Sequence, residues 1–140
     1  MRTRSATNRV VLHCSATRPG SGVNAATIRE WHISRGWQDI GYHFVILEDG
    51  AIERGRHLHL QGSHVQGHNA DTIGVCYVGG LGTDGKPKDT MTAAQNGAFL
   101  GLLEALRRVY GPLTLHGHNE FANKACPSFV VSKKYRAVLG

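Results

Sequence analysis

The sequence predicts an α/β fold built as one domain, on three observations. Arg9–Cys14 and Thr72–Val78 are short, nearly continuous apolar runs rich in β-branched residues, the pattern of strands buried on both faces. Ile40–Leu47 is a third such run, and Glu48-Asp49-Gly50 turns it into Ala51–Arg54 as a hairpin. Thr92–Tyr110 carries Ala94, Ala98, Leu102, Leu103, Leu106 and Val109 at mixed three- and four-residue spacing, which predicts an amphipathic helix closed by Gly111-Pro112. At 140 residues the chain can bury a continuous core that needs no disulfide or metal to hold it.

Taken in order, the first strand ends on His13-Cys14, whose side chains point to opposite faces, so one is expected to be functional and the other core. Ser15–Asn24, with Pro19, Gly20 and Gly22, is a loop over one mouth of the sheet. A short helix follows, capped at Asn24 or Thr27 and stopped by Gly36, with Trp31 expected on the sheet and His32 at the surface. Tyr42 and His43 open the hairpin on opposite faces, and packing is the default role for such a phenol. Arg56–Ala70 is polar and rich in histidine, which predicts a mobile surface segment. Gly74, inside a strand, permits close approach of a neighbour, and Cys76 is expected in the core. Gly79–Asp89 lacks the Walker pattern, which argues against a nucleotide cofactor. Leu113–His116 is the last strand, and Val130–Leu139 a short terminal helix.

A formal net charge of +6 and a pI near 9.6 favour an acidic partner: nucleic acid, anionic wall polymer or a membrane surface. Nine dispersed histidines exceed the roughly two or three per hundred residues of an ordinary chain, which points to metal or proton-transfer chemistry. Cys14, Cys76 and Cys126 cannot all pair, as suits a reducing compartment of synthesis. The basic N-terminus leads into only three apolar residues, too few for a signal-peptide core or membrane insertion.

The chemistry concentrates between Leu115 and Phe129. His116, His118, Lys124 and Cys126 fall within eleven positions, among glycine, asparagine and proline that turn the chain back. Imidazole nitrogen and thiolate sulfur suit zinc, with a further ligand to come from upstream. On a strand, His116 and His118 would share a face, so spacing leaves either as the ligand. Pro127 disfavours helix at Cys126 and keeps that thiol on extended backbone.

Five strings, Val11-Leu12-His13-Cys14-Ser15-Ala16-Thr17, Gly41-Tyr42-His43-Phe44, Gly62-Ser63-His64, Ile73-Gly74-Val75-Cys76 and Lys124-Ala125-Cys126-Pro127-Ser128-Phe129, stand in the order found in type-2 N-acetylmuramoyl-L-alanine amidases. From Val10 to Phe129 the chain resembles that family, most of all its phage lysozyme-type members (endolysins), relatives of peptidoglycan recognition proteins. The resemblance implies an α/β fold with a central mixed β-sheet flanked by helices: a zinc amidase domain over 9–140 behind a polar extension at 1–8. It implies one zinc ion held by His13, His118 and Cys126 with a water in the fourth place, catalytic roles for Tyr42 and Lys124, and a substrate-binding place for His64 at the rim of a groove. It further implies a monomeric peptidoglycan hydrolase that cleaves between the lactyl group of N-acetylmuramic acid and L-alanine. The enzyme would be made in the bacterial cytoplasm without a signal peptide and would reach the wall through a holin.

A rival from another class is a basic regulatory protein with a structural zinc, such as an inhibitor of a viral RNA polymerase, a role some phage amidases combine with hydrolysis. That reading requires a fourth protein ligand, from His116 or Cys14, and no nucleic-acid motif supports it.

Overall fold

A computed structural model describes residues 1–140. Its elements are β1 (Arg9–Cys14), α1 (Ala25–Ser34), β2 (Phe44–Ile46), β3 (Ile52–Arg54), β4 (Thr72–Tyr77), α2 (Ala93–Tyr110), β5 (Thr114–Gly117) and α3 (Val131–Lys134). The sheet runs β3-β2-β4-β1-β5. The β2–β4, β4–β1 and β1–β5 pairs are parallel and the β2–β3 hairpin is antiparallel, so the sheet is mixed.

Because β1 and β4 are central and covered on both sides, each is apolar almost throughout. Alternation then divides the core. Leu12, Cys14, Val75 and Tyr77 pack with Phe99, Leu103 and Leu106 of α2, while Val45 and Cys76 pack with Ala25 and Ile28 of α1. Cys14 thus lies on the α2 side, and His13 is left to face the other way.

Both long helices start on capping boxes, Asn24 with Thr27 for α1 and Thr92 with Gln95 for α2. Their inner faces differ from the expected stripes. In α1, His32 is buried and Trp31 is 38% exposed, the reverse of the sequence reading. His32 turns inward because its Nδ1 accepts the Gly41 N–H at 2.9 Å and its ring packs on Trp37 and Tyr42. In α2 the buried residues are Gln95, Phe99, Leu103 and Leu106, and Val109 is exposed. Gln95 tolerates burial because its amide donates to the carbonyls of Ile46 and Val78, just where β2 and β4 end.

The 56–70 segment, expected to be mobile, is tied down. Arg56 is buried and its guanidinium donates to the carbonyls of Ile40, Gln61 and Asp39, so one planar fork binds the segment to the turn before β2. The first eight residues run along it: the N–H groups of Arg4, Ser5 and Asn8 donate to the carbonyls of His59, Ala70 and Asp71. No helix is long and apolar enough to cross a membrane.

Candidate metal centre and active site

The register between β1 and β5 builds the site. Leu12 lies opposite Gly117, so the next residues on these neighbouring parallel strands, His13 and His118, emerge side by side at their carboxyl ends. That is where open α/β sheets present ligands. Their ring centroids are 4.6 Å apart. The strand stops at Gly117, and a 3-10 turn over His118–Glu120 aims His118 differently from His116. His116 is engaged elsewhere, with Nδ1 2.9 Å from Glu120 Oε1 and Nε2 2.7 Å from the Thr114 hydroxyl.

The loop after that turn carries Cys126, and four bonds hold it. The Tyr77 hydroxyl donates to the Pro127 carbonyl (2.7 Å), Ser128 donates to the Gly80 carbonyl (2.8 Å), Asn119 donates to the Phe129 carbonyl (3.0 Å), and the Cys14 N–H donates to the Cys126 sulfur (3.2 Å). One donor atom each from His13, His118 and Cys126 lies within 4.8 Å of the others, and Cys126 Sγ is 3.8 Å from His13 Nδ1. No fourth histidine, cysteine or carboxylate joins the group.

Two nitrogens and one sulfur at that spacing form a fitting donor set for zinc, with one position open. Both imidazoles are suited to give a lone pair. Burial, with His64, His118 and Lys124 nearby, holds His13 well below the ordinary histidine range, and burial beside Lys124 lowers His118. The Cys14 thiol and burial push the Cys126 thiol up, so its thiolate needs a cation beside it.

A groove of about 510 Å³ opens over the centre, lined among others by Trp37, His64, Asn69, His118, Phe121 and Lys124. Lys124 is exposed and forms no ion pair. Tyr42 packs against His13, ring centroids 5.0 Å apart, and against His32. Burial and the thiols of Cys76, Cys126 and Cys14 raise its phenol well above the usual range, so it stands as a proton donor. His64 reaches the groove, yet both ring nitrogens are spoken for inside the protein, Nδ1 by His13 and Nε2 by Thr72. It therefore has no ring nitrogen free for a ligand. Sequence reasoning missed Thr72, Asn69 and Trp37, since none sits in a chemical motif and only the fold brings them here.

An α/β domain that gathers three side chains able to hold a metal at its strand ends, with no fourth protein donor, has the arrangement found in metal-dependent hydrolases. The profile of the family described as N-acetylmuramoyl-L-alanine amidase matches residues 3–129. The endolysin of Escherichia phage T7 is 45% identical over 126 residues, covering 90% of this chain and 83% of that protein. Peptidoglycan-recognition protein SC2 of Drosophila melanogaster is 34% identical over 119 residues, 82% of this chain and 61% of that one. Among solved structures, the N-acetylmuramoyl-L-alanine amidase LysC of Clostridium intestinale superposes with a TM-score of 0.79 at 29% identity, covering 93% of this chain and 85% of that one. The chain belongs to the N-acetylmuramoyl-L-alanine amidase family.

Proposed function

We propose that this chain is a zinc-dependent peptidoglycan amidase of the endolysin kind, in which His13, His118 and Cys126 hold the metal and Lys124 and Tyr42 assist the cleavage. The bond cut is the amide between the lactyl group of N-acetylmuramic acid and L-alanine of the stem peptide. The observation that carries the reading is the three-donor cluster with no fourth protein ligand, opening into the groove that Lys124 lines. A structural zinc has less support, because His116 is paired with Glu120 and Cys14 does not join the donor group.

When bound, zinc supplies Lewis acidity, making water a usable nucleophile near neutral pH and drawing electron density from a carbonyl. The chain's own groups do the rest. The Lys124 ammonium, unpaired in the groove wall, faces the scissile carbonyl oxygen as negative charge gathers there. Tyr42, held protonated and packed against His13, donates a hydrogen bond at the nucleophile side. The departing L-alanine amine takes its proton from Lys124 or Tyr42, since neither ring nitrogen of His64 is free to serve. The net positive charge favours approach to an acidic wall, which within this reading is reached through a membrane-perforating partner.

Purified cell wall incubated with the protein, with and without chelator, tests this. Newly freed L-alanine amino termini should appear only in the metal-replete reaction; none under any metal condition removes the amidase reading.

A further inference from the structure

We propose that Thr72 is a positioning residue for the metal centre: acting through His64, it selects the tautomer of His13 whose Nδ1 is bare toward His118 and Cys126. The inference rests on the reading that those three residues hold zinc.

Thr72 is far from the metal donors along the sheet. It begins β4 opposite Arg9, four residues before His13 in register. What links them is a run of buried polar atoms. His13 Nε2 is 2.8 Å from His64 Nδ1, His64 Nε2 is 3.2 Å from the Thr72 hydroxyl, and that hydroxyl donates to the His68 carbonyl at 2.8 Å. All three side chains are buried, so solvent does not substitute for any partner.

Each contact constrains the next. A carbonyl only accepts, so the single hydroxyl proton of Thr72 goes to His68, and Thr72 offers His64 a lone pair. His64 must then carry its proton on Nε2 and leave Nδ1 bare. A 2.8 Å contact between two ring nitrogens holds one proton, and here that proton belongs to His13 Nε2. In neutral His13 the other nitrogen, Nδ1, is therefore unprotonated, and it is the one 3.8 Å from the Cys126 sulfur. The reverse arrangement puts a proton on His13 Nδ1, in the ion's place, and leaves the His68 carbonyl without its donor. The Thr72–His68 bond decides between the two.

Metal-bound histidines commonly give their second N–H to a carboxylate or a backbone carbonyl. Here the acceptor is a neutral imidazole, which fixes the tautomer without adding negative charge. With only one thiolate among the ligands, the centre keeps a net positive charge for the substrate carbonyl.

The test uses the full-length protein freed of metal. Imidazole nitrogen–proton correlation spectra should show His13 and His64 each protonated on Nε2 alone. In Thr72→Val the His13 signal should become a mixture of tautomers, and zinc affinity by competition with a chromophoric chelator should fall about tenfold or more. Thr72→Ser, which keeps the hydroxyl, and His64→Asn, whose amide oxygen takes the place of Nδ1, should restore most of the affinity. A wild-type His64 protonated on Nδ1 overturns the inference, as does a folded Thr72→Val that binds zinc like wild type. If Thr72→Val does not fold, the wild-type spectrum decides. Wild-type protein that binds no zinc defeats the metal-site reading instead, and the same spectrum still decides the relay.

Discussion

Gly74 and His64 compete for the same space: a Cβ built on Gly74 would stand 2.6 Å from Cγ and 2.7 Å from Nδ1 of the His64 ring. The glycine lies mid-strand in β4 opposite Val11, two residues before His13 in β1, and its missing side chain is where the imidazole lies as it reaches His13. Gly74→Ala is therefore expected to displace His64 or spread the sheet. It should cost about 1–3 kcal/mol in urea unfolding, the usual scale for overpacking a core, and should weaken zinc binding as well. Wild-type stability and wild-type affinity together would mean that the ring has room to move.

Gly74 also shows how much the sequence made legible. A glycine inside an apolar strand announces a close neighbour, but nothing local says that the neighbour is His64, ten residues upstream in a histidine-rich loop. The strands were readable because central parallel strands must be apolar throughout, as in β1 and β4. Helix faces were less so: apolar counting puts Trp31 inside, whereas the Gly41 N–H bond brings His32 in. His116 and His118 could not be separated by spacing, since the choice depends on where β5 yields to the 3-10 turn. Likewise Arg56, a polar residue in a polar stretch, gave no sign that three carbonyls would bury it.

In the proposed mechanism Lys124 and Tyr42 assist cleavage from outside the donor group, so their removal should separate chemistry from metal binding. Lys124→Ala and Tyr42→Phe are expected to hold zinc like wild type while turnover on purified wall falls about a hundredfold or more, the scale for losing one donor to a developing oxyanion. Cys126→Ser should lose zinc and activity together. A fully active Tyr42→Phe enzyme would take the phenol out of the mechanism and leave it as packing against His13.

Chelation should stop activity and leave the fold. The main core consists of Val10, Leu12, Ile73, Val75, Phe99, Leu103 and their neighbours, apolar side chains that pack on one another without a metal, and of the three ligands Cys126 touches it only from its margin. The expected result is an unchanged far-ultraviolet circular dichroism spectrum after metal removal and a melting temperature lowered only by the lost binding energy. Cooperative unfolding on chelation, as in a structural zinc domain, would contradict the catalytic assignment.

His43 should make the fold sensitive to acid. It is buried beside β4, where its Nδ1 accepts the Gly74 N–H at 3.0 Å and its Nε2 donates to the Leu60 carbonyl at 2.7 Å. Only the neutral ring satisfies both bonds, because a proton on Nδ1 would meet the Gly74 N–H head on. Burial lowers its pKa to about 4, with Arg4 and Arg56 adding to the effect and the Leu60 carbonyl opposing it. The unfolded chain takes up that proton near pH ~6.5 and the folded chain near ~4, so stability declines as pH falls through this window and is regained as pH rises. For this site the loss reaches up to about 3 kcal/mol at the lower end. His32, lowered to about 4 by burial and by Arg35 and Arg56, acts with the same sign. In urea titrations across the window, His43→Asn, which keeps an acceptor for Gly74 and cannot titrate, should begin less stable and decline less steeply than wild type. Parallel declines would show that His43 is protonated at the same pH whether the chain is folded or not.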